Sequence, residues 1–277
     1  MSPPPTSHHW SRRSFGGALG LLGLGAGASC TRGGSDPATT VTVLAASSLV
    51  DAFAELRIAF EGTNPGVDVV VSTAGSQALR LQIVQGAPAD VFASANPAHM
   101  DALRREGLVR DVVTFAKGTL VLVVPRGNPA GLRSLADLPR ARRVVMGTEE
   151  VPIGAYTRTV LERAESLYGP GFRSQVEARV VSLEPNVRLV LAKVELGEAD
   201  AAIVYRSDTI GAGAGGREGP REVEVIELPD LGVTPRYHVG VLTAAAAPAL
   251  ADRFVAHLRS ELGRTVLTRH GFGAPDG

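Results

Sequence analysis

From residue 41 onward, short apolar runs alternate with stretches in which apolar side chains recur every three or four residues. The run at 41–46 is typical of a buried strand, and the spacing that follows it predicts a helix over 48–60. The same alternation predicts further strands at 67–72, 90–93, 119–125, 143–147, 179–182, 201–205, 223–228 and 237–242. It predicts further helices over 77–85, 97–105, 156–166, 186–196, 247–259 and 261–269. This order indicates an α/β protein with a largely parallel sheet.

Two β-rich crossings divide the pattern into two sets of strands and helices. We expect the residues at 115–120 and 235–237 to act as a pair of hinge strands. One lobe then comprises 40–117 together with 237–277, and the other comprises 118–236. The chain crosses twice between the lobes, and the last helices return to the first lobe.

Five segments share a design in which a strand or loop delivers a small polar residue to a turn or the start of a helix. They lie at 45–49, 72–79, 151–156, 184–188 and 201–208. No cationic side chain is common to them, whereas hydroxyls, backbone N–H groups and helix N-termini are. That combination suits an oxyanion bound without a salt bridge. Ligands of open α/β sheets lie at the carboxyl ends of strands, so we expect the site in the cleft between the lobes.

Charge and composition exclude several classes of function. The chain has 277 residues and a formal net charge of +0, so nothing in its charge predicts binding to nucleic acid. Its six histidines do not show the spacing of metal ligands. The sequence contains no Gly-x-Ser-x-Gly elbow and no arguable Ser–His–Asp arrangement, so we do not expect an enzyme.

The N-terminal segment has the features of an export signal. Arg12 and Arg13 precede a glycine-rich apolar run that is too short to span a membrane and ends at Cys30, the single cysteine. The paired arginines indicate a twin-arginine-like signal over 1–30, and the residues before the cysteine resemble a lipobox. We therefore expect a lipid anchor at Cys30, a flexible tether at 31–39, and a mature protein outside the cytoplasm.

Six ordered motifs carry a resemblance to a known family. They are Ala-Ala-Ser-Ser-Leu (45–49), Gly-Ala-Pro-Ala-Asp-Val-Phe-Ala-Ser-Ala (86–95), Val-Pro-x-Gly-x-Tyr (151–156), Asn-Val-Arg (186–188), Gly-Glu-Ala-Asp-Ala-Ala-Ile-Val-Tyr-Arg-Ser-Asp (197–208) and Arg-His-Gly-Phe (269–272). From about residue 40 to 273 the chain closely resembles the periplasmic molybdate-binding proteins that serve ABC transporters. The resemblance implies a two-lobed periplasmic-binding-protein fold of type II, with the ligand cleft between the lobes.

The same resemblance implies a set of ligand-binding residues. The hydroxyls of Ser48, Ser76 and Tyr205 and the backbone N–H groups of Ile153 and Val187 would bind molybdate through its oxygens. Ile153 stands where the family usually has a small residue. The implied function is the capture of molybdate, and also of tungstate, for delivery to an ABC permease of the inner membrane. We expect a monomer without a cofactor, in the periplasm or on the outer face of the cell membrane.

Each of these residues also has a structural interpretation. Ser48 and Ser76 could serve only as helix N-caps, a position that serine favours, and Tyr205 could be a core aromatic residue. Arg188 could clamp the anion, but an ion pair behind the site is the favoured interpretation. Asp208 is expected to be a cap or turn residue and not a ligand.

Other functions remain open at this stage. The architecture would also suit a receptor for sulfate, thiosulfate or phosphate, and phosphate would require a carboxylate facing the ligand, for which Glu149, Glu150 and Glu184 are the nearest candidates. A ferric-iron receptor would need paired tyrosines, and Tyr205 has no tyrosine next to it in the sequence. A secreted hydrolase is disfavoured because no nucleophile–base pair can be argued.

Overall fold

The computed structural model describes residues 39–210 and 223–275, and strands and helices alternate through them. The strands are β1 (Thr40–Ala46), β2 (Asp68–Ala74), β3 (Val91–Ser94), β4 (Val109–Lys117), β5 (Leu120–Pro125), β6 (Val144–Gly147), β7 (Val180–Glu184), β8 (Ala202–Tyr205), β9 (Val223–Glu227) and β10 (Arg236–Leu242). The helices are α1 (Val50–Thr63), α2 (Ser76–Val84), α3 (Pro97–Arg105), α4 (Pro152–Tyr168), α5 (Phe172–Glu177), α6 (Val187–Glu195), α7 (Arg206–Thr209), α8 (Pro248–Arg259) and α9 (Glu261–Arg269), with 3₁₀ helices at Ser47–Leu49 and Leu135–Arg140. The predicted export signal, Cys30 and all of the tether except Thr39 lie outside the described residues.

The first sheet has five strands in the spatial order β2-β1-β3-β10-β4. β1 pairs in parallel with β2 and with β3, while β10 runs antiparallel to β3 and to β4. The expectation of a largely parallel sheet is thus confirmed, with β10 running against the other four strands, but most of β4 was not predicted as a strand. β10 enters from the second crossing, at the opposite end of the sheet, and therefore runs in the opposite direction.

The residues between the crossings form two smaller sheets. β5 lies between β8 and β9 and is antiparallel to both, whereas β6 and β7 are parallel. A bridge between Val144 and Ala201 connects β6 to the start of β8. β5 is therefore a second strand that runs against its neighbours, and for the same reason, because β5 is the first strand after a crossing.

Apolar residues from all of these sheets form the core. Val43 of β1, Val123 of β5 and Val241 of β10 are almost fully buried in one continuous cluster, which the helices cover. Burial of such side chains contributes roughly 1.5–3 kcal/mol each. Among the described helices, none combines the length and the apolar character that crossing a membrane would require.

Candidate functional site

The five predicted ligand residues line one small cavity. The residues around it are Ala46, Ser47, Ser48, Gly75, Ser76, Ala95, Val151, Pro152, Ile153, Asn186, Val187 and Tyr205. They come from the ends of β1, β2, β3 and β8 and from the segments that follow β6 and β7. Six strands therefore deliver the site at their carboxyl ends, where ligands of α/β sheets bind.

The cavity is narrow, and none of the described residues that line it has a charged side chain. The centre of a water-sized sphere can occupy only about 10 Å³ of it, whereas pockets for drug-sized ligands hold about 300–1,000 Å³. The lining consists of apolar or small residues, the hydroxyls of serines and of one tyrosine, and the side-chain amide of Asn186. Glu149, Glu150 and Glu184, the nearest candidates for a carboxylate facing the ligand, are not in this lining.

Neither Ser48 nor Ser76 caps a helix with its side chain. The 3₁₀ helix that contains Ser48 begins after Ala46, α1 begins after Leu49, and none of these helix starts has a side-chain cap. Ser76 is the first residue of α2, whose N-cap is Gly75. The interpretation of these serines as N-caps is therefore wrong, and their hydroxyls have other partners.

Both hydroxyl oxygens accept a hydrogen bond from the protein. Tyr237 donates its hydroxyl to Ser48 Oγ at 3.3 Å, and the backbone N–H of Ala95 donates to Ser76 Oγ at 3.1 Å. A serine hydroxyl has one hydrogen and two lone pairs. Since each of these bonds uses a lone pair of the serine oxygen, the hydrogen of each hydroxyl is available for donation to a ligand.

Two helices begin at the cavity and contribute backbone donors. Ile153 is the second residue of α4, after Pro152, and Val187 is the first residue of α6. N–H groups in the first turn of a helix have no carbonyl partner in the same helix. The N-cap of α6, Asn186, accepts with its side chain from the N–H of Leu189 at 3.0 Å, so its Oδ1 is already in use. The N–H groups of Ile153 and Val187 thus lie at the cavity without an acceptor in their own helices, an arrangement that suits an anion.

Tyr205 places a buried phenol at the cavity. Its side chain is 1% exposed, and its hydroxyl has no hydrogen-bond partner among the described residues. Burial raises the pKa of Tyr205 well above its ordinary value, with the nearby phenols of Tyr237 and Tyr156 and the carboxylate of Asp208 adding to the effect. The phenol therefore stays protonated and can donate. A buried hydroxyl that served only in packing would normally have a partner in the protein.

The turn after Tyr205 is held by Asp208. This carboxylate is fully buried and accepts from the backbone N–H of Tyr205 at 3.3 Å. It does not line the cavity. The structure thus agrees with the prediction that Asp208 is a cap or turn residue and not a ligand.

Glycines permit the close approach of the segments around the cavity. A Cβ on Gly154 would lie 1.9 Å from the carbonyl oxygen of Thr148, so only glycine allows the start of α4 to sit against the end of β6. A Cβ on Gly75 would lie 2.5 Å from the carbonyl oxygen of Pro185, which belongs to the opposite side of the cleft. The side chain of Ile153 packs towards Gly147, with Cγ2 3.0 Å from where a Cβ on that glycine would lie.

Arg188 does not line the cavity. Its guanidinium forms ion pairs with Asp51 at 2.5 Å and with Asp208 at 3.4 Å, and its Nε donates to the carbonyl of Ser47 at 3.2 Å. The favoured interpretation, an ion pair behind the site, is confirmed.

Sequence reasoning missed Tyr237 as a residue of the site. Its ring lies 5.7 Å from that of Tyr205, and the ring of Tyr156 lies 6.3 Å from Tyr205 on another side. Tyr205 thus has no neighbouring tyrosine in the sequence but two in the folded protein, and the argument from the sequence is wrong. The only signal in the sequence was the position of Tyr237 at the start of a predicted hinge strand, close to both lobes.

The tyrosine cluster does not have the other features of an iron site. No group of three or more His, Cys, Asp or Glu residues within 39–210 and 223–275 could hold a metal ion. Tyr237 does not line the cavity, and burial raises its pKa well above the ordinary value, as it does for Tyr205. Ferric iron binds phenolate, and burial disfavours that form of both side chains.

Comparison with known proteins places the chain among binding proteins of bacterial transport. The chain is 39% identical over 261 residues to the molybdate-binding protein ModA of Mycobacterium tuberculosis, which covers 92% of this chain and 94% of that one. The substrate-binding domain of a putative molybdenum ABC transporter from Clostridium difficile superposes with a TM-score of 0.63 at 27% identity, over 86% of this chain and 99% of that one.

The fold is shared more widely than the sequence. The sulfate-binding protein SubI of Mycobacterium tuberculosis superposes with a TM-score of 0.75 at 19% identity, over 86% of this chain and 88% of that one. The two-lobed α/β fold of periplasmic binding proteins is thus confirmed. The model of the bacterial extracellular solute-binding protein family matches residues 41–273, and this protein belongs to that family.

Proposed function

We propose that this protein captures molybdate outside the cytoplasm and delivers it to an ABC permease. The observation that carries the proposal is the convergence of three hydroxyls and two helix N-termini on one narrow cavity, whose lining among the described residues has no charged side chain. The 39% identity to a molybdate-binding protein supports the choice of anion.

The hydrogen bonds of the site set the scale of the affinity. A hydrogen bond to a charged group contributes roughly 1.5–3 kcal/mol. Donors from Ser48, Ser76, Ile153, Val187 and Tyr205 would together contribute about 7–15 kcal/mol before ordering costs. A micromolar Kd corresponds to about 8 kcal/mol, which the set reaches toward the upper end of that range once the ordering costs are subtracted.

The donor character of the site favours a fully deprotonated anion. Ser48 and Ser76 each accept a bond from the protein, and Asn186 Oδ1 already accepts from Leu189. A protonated phosphate would bring an O–H that meets few acceptors, which lowers its affinity. Discrimination between molybdate and sulfate would then depend on the size of the cavity. Tungstate has the same charge and shape as molybdate, so we include it as a ligand.

The proposal includes the organisation of the whole chain. The lobe boundaries at 40–117 with 237–277 and at 118–236 follow the division of the strands between the five-stranded sheet and the two smaller sheets. The export signal and the lipid anchor at Cys30 rest on the sequence. We propose a monomeric receptor without a cofactor, anchored outside the membrane and working with a permease.

A thermal-shift panel tests the proposal. Sodium molybdate, tungstate, sulfate, phosphate and ferric citrate are each added to protein that carries Cys30→Ser, and calorimetry then gives the Kd of every ligand that raises the Tm. Binding to the native state at a hundredfold excess over Kd stabilises it by about 2.7 kcal/mol. Molybdate and tungstate should raise the Tm clearly and sulfate much less. Equal shifts for sulfate would support a general oxyanion receptor instead, the alternative favoured by the fold similarity to a sulfate-binding protein.

A further inference from the structure

Three side chains make polar contacts across the cleft. Gln77 Nε2 donates to the carbonyl oxygen of Pro185 at 2.7 Å, and His99 Nε2 lies 2.8 Å from the carbonyl oxygen of Glu150. The third is Arg188 of α6, which contacts the Ser47 carbonyl and the Asp51 carboxylate of α1. Of these four contacts, only the one between Arg188 and Asp51 joins two charged side chains.

We infer that Arg188 is a positioning residue that sets the affinity for the anion through its ion pair with Asp51, which forms when the lobes close and is called the clasp below. The inference rests on the proposed function and lobe division. Arg188 follows Val187 directly in the first turn of α6. An ion pair from this turn to the start of α1 therefore holds the N–H of Val187 opposite Ser48, which lies just before α1.

The geometry separates a fixed contact of Arg188 from a contact that depends on closure. Asp208 lies in the same lobe as Arg188 and is fully buried, so that pair persists when the cleft opens. Asp51 lies in the other lobe, and its bond to Arg188 requires the lobes to be together. The side chains of Arg188 and Asp51 are 20% and 25% exposed, so water screens this pair less than an exposed ion pair.

The charges of Arg188, Asp51 and Asp208 do not favour direct attraction of the anion as the role of these three side chains. One arginine and two aspartates give the cluster a formal charge of −1. By Coulomb's law a negative cluster close to the cavity weakens the binding of an anion. Removal of the charge of Asp51 should therefore strengthen molybdate binding if long-range electrostatics dominates, and weaken it if the clasp dominates. The two explanations predict opposite signs.

Closure links the clasp to affinity. When only the closed form binds tightly and the open form predominates without ligand, the apparent Kd rises in proportion to any loss of closed population. Loss of the clasp should also shorten the lifetime of the closed complex, so that most of the change appears in the dissociation rate.

The decisive variant is Asp51→Asn, which keeps the shape of the side chain and leaves the buried pair of Arg188 and Asp208 in place. We expect the Kd for molybdate to rise about tenfold, equivalent to about 1.4 kcal/mol, with a faster dissociation rate in stopped-flow displacement. Arg188→Lys keeps the charge but not the paired geometry of the guanidinium, and should give a similar rise. Asp137→Asn is the matched control, because Asp137 also lies in a first helical turn and pairs with an arginine, Arg140, within one lobe.

Each outcome of these measurements either supports or overturns the clasp. A rise in Kd for Asp51→Asn and Arg188→Lys, with Asp137→Asn unchanged, supports the clasp. A folded Asp51→Asn variant that binds as tightly as the parent, or more tightly, overturns it. If the parent protein does not bind molybdate, the proposed function fails instead. The clasp is then decided without ligand from the distance between spin labels on Leu81→Cys and Leu196→Cys, both exposed. A smaller closed population in Asp51→Asn than in the parent supports it, and equal populations overturn it.

Discussion

Replacement of Tyr205 by phenylalanine should separate affinity from stability. The change removes one hydroxyl from a side chain that is 1% exposed and whose hydroxyl has no partner among the described residues. The folded protein without ligand therefore loses no protein hydrogen bond, and its Tm should be unchanged or slightly higher. The complex loses a charge-assisted hydrogen bond worth roughly 1.5–3 kcal/mol, which corresponds to a rise in Kd of about 10- to 150-fold.

The assay pairs calorimetric Kd values for molybdate with melting curves in the absence of ligand. Tyr156→Phe is the matched control, because this hydroxyl accepts from the N–H of Arg236 at 3.2 Å and Tyr156 does not line the cavity. The control should lose some stability and keep its affinity. An unchanged Kd in a folded Tyr205→Phe variant would show that the phenol serves in packing and that this wall of the site is misassigned.

Four further predictions concern Ser48, Gly75, the two buried tyrosines and Cys30. Ser48→Ala should weaken molybdate binding, and it should also lower the Tm because the buried Tyr237 hydroxyl loses its acceptor, at a cost of about 1–3 kcal/mol. Adding Tyr237→Phe should restore the Tm but not the affinity measured by calorimetry. Gly75→Ala should leave the Tm without ligand unchanged, because Gly75 has a φ of −61° that alanine accepts. It should raise the Kd for molybdate about tenfold or more, because the new Cβ meets the Pro185 carbonyl when the lobes close. Unchanged affinity would refute the closed geometry. Burial raises the pKa of Tyr205 and of Tyr237, so the folded state retains protons that the unfolded state releases above about pH 10. The Tm should therefore fall as the pH rises through that range, and it should fall less steeply in Tyr205→Phe. Cys30→Ala should move the protein from the membrane to the soluble fraction after cell fractionation, and a parent protein that is already soluble would refute the lipid anchor.

The strand and helix pattern could be predicted because apolar periodicity controls it. The helix predicted over 261–269 matches α9, and the strand predicted at 201–205 differs from β8 by one residue. The short helix α5 was missed, since its six residues are too few to establish a period. The direction of β5 and β10 was also missed, because strand direction depends on where a crossing enters a sheet and not on side-chain alternation.

The site could be predicted only in part. Ser48, Ser76 and Tyr205 stand in motifs that a resemblance identifies, and the structure brings them to one cavity with Ile153 and Val187. Whether they bind the anion remains a prediction. Their hydrogen-bond partners could not be predicted, because the donor to Ser48 comes from Tyr237, which lies 189 residues away along the chain. Contacts of this kind are set by tertiary packing, and no local pattern encodes them.

The position of β10 also has a consequence for biosynthesis. β3 and β4 are made early, yet the strand between them is Arg236–Leu242, near the end of the chain. Until the ribosome releases that segment, the edges of β3 and β4 that face it have no partner, and unpaired strand edges promote aggregation. β5 to β9, by contrast, lie in one uninterrupted stretch of chain, Leu120–Glu227. The middle of the polypeptide can therefore fold during translation, whereas the first sheet is completed only by its last strand, and a nascent chain stalled before residue 236 leaves β4 without a partner in that sheet.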